Sequence, residues 1–219
     1  MKVTQGSRGN APPDNLKRGG KYYQGKASVI EPGFRSFKHF FELIGECIAK
    51  TEISANGYGK TLEAVLKQLQ AQFRKGHKAG GRVIFVGNGG SAAIASHNAI
   101  DWTKNGGIRS IAFNDAAALT CWANDAGYSN VFAKQIEHHA TEKDSLVIIS
   151  SSGRSLNVLA AADAARVKGC QMILTLTGLN PNNVLRAKGD VNLWVPSSDY
   201  GLVELAHMSI LHSIVSVGT

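Results

Sequence analysis

The chain has 219 residues, enough for one domain with an appendage and a sizeable core. Hydrophobic residues make up 43% and charged residues 18%, an ordinary globular balance, and no apolar run approaches the ~20 residues of a membrane span. Lys2 and Arg8 have no apolar stretch behind them, which argues against a secretory signal, and Cys47, Cys121 and Cys170 form no CxxC pair. These cysteines are expected as reduced, core or near-core thiols of a cytoplasmic protein.

The net charge of +8 is concentrated at the start, where residues 1–38 carry eight Lys or Arg against Asp14 and Glu31. Residues 1–33 therefore read as a flexible basic N-terminal tail and 34–219 as the folded domain. A basic tail can attract nucleic acid, but a solvated leader is the plainer expectation. Neither a nucleic-acid nor a membrane partner is expected.

Phe37, Phe40, Phe41, Ile44 and Ile48 recur at helical spacing and predict an amphipathic helix over roughly 34–51. Leu62, Val65, Leu66, Leu69 and Phe73 predict a second, stopped by Gly80 and Gly81. Together they offer more apolar face than one small sheet needs, so association with another subunit is expected.

From Arg82 the pattern becomes α/β. VIFVG, RSIAFND, SLVIISSSG, QMILTLTG and VNLWVP predict five strands, with an alanine-rich helix over Ser155 to Lys168 and a last helix near 201–217. This predicts a five-stranded parallel sheet with helices on both faces, preceded by two amphipathic helices. Cys121 and Trp122 are expected in the core. His138 and His139 are adjacent and would point about 100° apart on a helix, so they read as surface or interface histidines.

The first strand ends in Gly87-Asn88-Gly89-Gly90-Ser91-Ala92. Glycines there let a ligand approach the backbone, and the following helix presents N–H groups to an anion. The loop also fits G-x-G-x-x-A, and Asp115 lies about where a ribose-binding acid belongs, so a dinucleotide is a rival. The third strand decides against it. Ser150-Ser151-Ser152-Gly153-Arg154-Ser155 sets four hydroxyls, a glycine and a guanidinium before a helix start, which suits a terminal phosphate. No nucleotide cofactor is expected.

His97 and Asp101, at i and i+4, share a helix face and could present an imidazole and a carboxylate to one cation.

With GNGGSAA after the first strand, ND after the second and SSSGRS after the third, residues 35–217 resemble the SIS (sugar isomerase) domain, a flavodoxin-like fold, and within it the phosphoheptose isomerases. The resemblance implies that Ser91, Ser150, Ser151, Ser152 and Ser155, with the Gly89 and Gly90 backbone, hold a phosphate. It implies that Asn88, Asp115 and Asp125 face sugar hydroxyls. It implies a divalent metal, usually zinc, at His97, Asp101, Glu204 and His212, and a homotetramer with sites between subunits; Glu204 and His212 are about 12 Å apart along a straight helix, and His207 competes between them. Asp101 would be the base and His212 the second acid/base in interconverting sedoheptulose 7-phosphate and D-glycero-D-manno-heptose 7-phosphate through an enediol, feeding surface polysaccharide. The alternative is a non-catalytic adaptor, since GNGGSAA also resembles a DnaA-binding replication factor. Three positions depart from the isomerase pattern: Asp101 stands for glutamate, Glu204 for glutamine and Arg154 for a common asparagine.

Overall fold

In the computed structural model, which describes residues 28–31, 33–55 and 57–217, a six-stranded sheet is built around the two loops that the sequence singled out. The first helix, α1 (Phe37–Ala49), starts where Ser36 accepts a hydrogen bond from the His39 N–H. Strand β1 (Glu52–Ala55) follows, then α2 (Leu62–Lys78), capped by Thr61. The parallel part alternates β2 (Val83–Gly87), α3 (Gly90–Lys104), β3 (Ser110–Ala112), α4 (Ala116–Ala126) and α5 (Val131–His139). It continues with β4 (Ser145–Ser150), α6 (Leu156–Val167), β5 (Met172–Thr177), β6 (Val191–Trp194) and α7 (Tyr200–Ser216).

The strand order is β1-β6-β5-β4-β2-β3, with β1 antiparallel to β6 and every other pair parallel. Strands β2, β4 and β5 are buried along their whole lengths, which is why they read as unbroken apolar runs. Their alternate residues feed two cores. Phe85, Val147, Leu174 and Leu193 pack with Leu43, Phe73, Trp102 and Ile210 from α1, α2, α3 and α7. Ile84, Leu146, Ile148 and Ile173 pack on the other face with Phe132, Ile136, Val158 and Ala161 from α5 and α6.

The expected count of five strands is corrected to six. Strand β1 has four half-buried residues and lies at the sheet edge, so it lacks an apolar run. What holds it is a tertiary pair, Arg186 Nη2 to Glu52 Oε2 at 2.7 Å, with the guanidinium 5.0 Å from the Trp194 ring centre. Residues 116–139 hold the two helices α4 and α5. Cys121 lies exposed on α4, so its expected core position is corrected; Cys47 and Cys170 are buried. Burial pushes the Cys170 thiol up to about 11 and raises Cys47 as well, so neither is a ready nucleophile. Trp122 stacks on exposed His138 at 5.3 Å.

Most of the expected tail, residues 1–33, lies outside the described residues. Ile30 pairs with Ser197, and its N–H donates to the Pro196 carbonyl at 2.7 Å. Among the described residues, no helix is long and apolar enough to cross a membrane.

Candidate active site

Chain connections leave β2 and β4 in opposite directions, because β3 lies beyond β2 and β5 lies beyond β4. Between such neighbours the loops diverge and leave a crevice at the carboxyl ends of the strands. The Gly87–Ala92 loop and the Ser150–Ser155 loop both end there.

Both loops lead into helices that keep their first N–H groups free of side-chain caps. Gly89, at φ +55°, precedes α3 and has no side chain to cap it. Ser155 occupies the N-cap of α6, yet its hydroxyl makes no capping bond. Two helix N-termini thus offer backbone donors and positive dipole ends to one crevice. Gly87 permits the tight turn: a Cβ there would lie 2.7 Å from the Ser91 carbonyl oxygen.

The serines are placed around these termini. Ser150 is buried, and its Oγ accepts a hydrogen bond from the Gly153 N–H at 3.2 Å. Ser151 is buried with its Oγ lacking a partner among the described residues. A buried hydroxyl without a partner is rare in a finished core and is expected where a ligand completes it. Ser91 is buried in the first turn of α3, while Ser152 and Ser155 are half-buried. Arg154 is exposed on the same loop.

Asn88 ties the first loop to the second. Its Nδ2 donates to Asn157 Oδ1 at 2.9 Å, and Asn157 Nδ2 donates back to Asn88 Oδ1 at 2.9 Å. The Tyr128 hydroxyl donates to the same Asn88 oxygen at 3.2 Å. Sequence reasoning missed both partners. Asn157, two residues past the serine loop, was the one legible signal; nothing near Tyr128 marks it.

Asp115 caps α4, accepting from the Ala118 N–H at 3.0 Å. Asp125 is exposed in the last turn of α4, beside Asn124 Nδ2 at 2.8 Å, and makes no hydrogen bond to either loop among the described residues.

A second constellation lies along α3 and α7. His97 Nε2 and His212 Nε2 face each other at 3.1 Å. Asp101 Oδ2 is buried 3.0 Å from His212 Nδ1, an ion pair when the ring is protonated, and has no hydrogen-bond partner among the described residues. Asp101 Oδ1 is held by Asn105 Nδ2 at 2.5 Å. His97, Asp101 and His212 therefore come together, starting about 9 Å along α3 from Ser91 at 1.5 Å per residue.

Glu204 does not join them. Its carboxylate sits against Gly90, where an added Cβ would meet Oε1 at 2.5 Å. The two turns of α7 between Glu204 and His212 are what separate it from the histidines. His207, the competing candidate, is fully buried, with Nε2 3.1 Å from the Thr177 carbonyl oxygen.

The metal expectation can be set against this geometry. Two imidazole nitrogens 3.1 Å apart fit two ligands each about 2.0–2.1 Å from one zinc, with a carboxylate behind one ring. Among the described residues, however, no group of three or more His, Cys, Asp or Glu is arranged to hold an ion. The chain brings together two nitrogen donors, and further donors would come from outside it.

Desolvation lowers His207 to about 4, against about 6.5 in an unfolded chain. The unfolded state then binds a proton that the folded state refuses. Stability from this group is complete above about pH 6.5 and is lost as pH falls toward 4, by about 1.4 kcal/mol per unit. Thermal melts at pH 7 and 5 are expected to show wild type losing about 2 kcal/mol more than His207→Gln, which cannot titrate.

These features, a doubly wound sheet with glycine- and serine-rich loops meeting at its switch point, define a class. The SIS domain family model matches residues 55–178, and the chain belongs to that family. Within it, the chain is 36% identical over 171 residues to the phosphoheptose isomerase of Aliarcobacter butzleri, covering 72% of this chain and 89% of that one. It is 37% identical over 146 residues to that of Enterobacter sp., covering 64% and 75%. The solved phosphoheptose isomerase of Neisseria gonorrhoeae superposes with TM-score 0.69 at 31% identity, over 81% of this chain and 94% of that one. That of Francisella tularensis gives 0.67 at 26%, over 81% and 93%.

Proposed function

We propose that this protein interconverts sedoheptulose 7-phosphate and D-glycero-D-manno-heptose 7-phosphate. The observation that carries the reading is the pair of uncapped helix N-termini flanking the unpaired Ser151 hydroxyl, a cradle for a dianionic phosphate. Its phosphate contacts would supply binding energy remote from the reacting carbons. The similarity to named phosphoheptose isomerases supports the seven-carbon substrate.

The isomerisation moves a proton between C1 and C2 through an enediol and needs an acid/base and a donor for the enediolate oxygen. His212 is assigned the proton at its Nε2. Asp101 acts through it, orienting the ring from Nδ1 and balancing its charge when protonated. Asn88 offers an N–H to a sugar oxygen. Asp115 and Asp125 are assigned to sugar hydroxyls by analogy with the family. A divalent ion, zinc by analogy with the family, would be held at the same Nε2 atoms of His97 and His212 and would polarise the sugar carbonyl, which would leave the proton transfer to Asp101.

The acid–base cluster and the cradle occupy separate stretches of α3. Completion of the site by a second copy, in a homotetramer, joins them in one catalytic unit. Phe37 and Phe41, 89% and 67% exposed on α1, are apolar surface that such assembly would cover.

The test is aldose formation from sedoheptulose 7-phosphate by purified protein, before and after chelation, alongside sedimentation. Turnover by a tetramer that chelation abolishes supports the whole reading. Turnover that survives chelation removes the ion and leaves the isomerase. Absence of turnover sinks the substrate assignment.

A further inference from the structure

We propose that Asn157 is a positioning residue that sets the gap between the two phosphate loops through its reciprocal amide pair with Asn88, and that Tyr128 steadies the same amide from the sugar side. The inference rests on the sugar-phosphate reading of the crevice.

Asn88 belongs to the β2 loop and Asn157 to the first turn of α6, 69 residues later. Their two 2.9 Å hydrogen bonds close a ring of paired amides across the switch point. Rotating either amide alone sets two carbonyl oxygens, or two NH2 groups, face to face, so each holds the other in place. Asn157 is 2% exposed and Asn88 half-buried, so water reaches the pair only from the Asn88 side.

The consequence concerns both functions of the loops. One helix starts two residues after Asn88, at Gly90, and the other one residue before Asn157, at Leu156. Fixing the amides fixes the separation at which both sets of backbone N–H groups address one phosphate. It also leaves Asn88 a single free N–H for the sugar, because its oxygen already accepts from Asn157 and from Tyr128. Tyr128 is 59% exposed at the rim, so its hydroxyl reaches the pair from the open side.

The experiment compares wild type, Asn157→Ala, Asn157→Asp and Tyr128→Phe. It reads the Kd for inorganic phosphate by calorimetry, and KM and kcat with sedoheptulose 7-phosphate. Asn157→Asp keeps the side-chain volume and serves if the alanine variant does not fold. It keeps the bond from Asn88 Nδ2 but sets a carboxylate oxygen against Asn88 Oδ1. Both Asn157 variants are expected to raise phosphate Kd and KM in parallel, by about tenfold, the scale of one buried hydrogen bond lost and an acceptor left unpaired. Tyr128→Phe is expected to leave phosphate Kd within about twofold and lower kcat/KM about fivefold.

A merely structural role would lower the melting temperature and the active fraction without moving Kd or KM. Phosphate Kd and KM within about twofold of wild type in the folded Asn157 variants would overturn the proposal. Wild type that binds phosphate without turning over the sugar defeats the substrate reading, while phosphate Kd still judges Asn157. Wild type that binds no phosphate defeats both.

Discussion

Alanine at His212 is expected to lower kcat for sedoheptulose 7-phosphate by about 10³-fold, inside the 10²–10⁴ range that a positioned acid or base contributes. His212 is the central member of its cluster, with Asp101 Oδ2 3.0 Å from one ring nitrogen and His97 Nε2 3.1 Å from the other. Removing the ring disconnects the carboxylate from whatever His97 and His212 jointly address. Asp101→Asn keeps the size and removes only the charge, so the expected loss is smaller, about tenfold in kcat with KM little changed. The phosphate cradle lies about two helical turns away, so inorganic phosphate should bind His212→Ala as it binds wild type. Steady-state kinetics with parallel calorimetry separates the two effects. Near-normal kcat in His212→Ala would remove the residue from the chemistry and leave the cluster a structural polar contact.

Gly153→Ala should be the most damaging single substitution in the phosphate loops. The backbone there has φ +59°, and an added Cβ would lie 2.0 Å from Asn183 Oδ1 and 2.4 Å from its Cγ. Asn183 cannot retreat freely. It is buried, its Nδ2 donates to the Asn180 carbonyl at 2.8 Å, and its Oδ1 accepts from the Arg186 N–H at 3.1 Å. The Gly153 N–H also donates to the Ser150 carbonyl at 3.1 Å, and its own carbonyl accepts from Leu185 N–H at 3.1 Å. Positive φ costs a non-glycine residue about 1–2 kcal/mol, and the clash adds to it. A loss of about 3 kcal/mol in urea unfolding is expected, with phosphate affinity falling at least a hundredfold in the folded fraction. Gly45→Ala is the control: it lies inside α1 with nothing within 4 Å of the added Cβ, and should stabilise by about 0.5–1 kcal/mol. Equal stability of Gly153→Ala and wild type would show that the loop accommodates a side chain and that its geometry is not glycine-dependent.

Much of the fold was legible because its signals are local. The apolar runs of β2, β4 and β5 reflect burial on both faces, and the periodic stripe of α2 reflects burial of Val65, Leu69 and Phe73 on one, whereas α1 buries Leu43 and Cys47 and leaves Phe37 and Phe41 of its stripe exposed. The Gly87–Ala92 and Ser150–Ser155 loops announced themselves by composition, because close backbone approach and exposed hydroxyls restrict the residue types that serve. Strand β1 was illegible for the opposite reason. Glu52–Ala55 has no pattern of its own, and what pins it is the edge pairing with β6 and a buried guanidinium 134 residues away.

The site divides along the same line. By itself the sequence supplied candidates: composition singled out the serine and glycine loops, and the resemblance to the family pointed to Asn88, His97, Asp101 and His212 within them and on two helices. Only the tertiary structure decided which of them meet. It brought His212 to His97 and Asp101 across more than 100 residues, left Glu204 against Gly90, and buried His207 against Thr177. It exposed Cys121 on a helix and joined Asn88 to Asn157 and Tyr128. Helical and strand periods fix the direction of a side chain relative to its own element, whereas contact between elements depends on how those elements pack, which no single segment encodes.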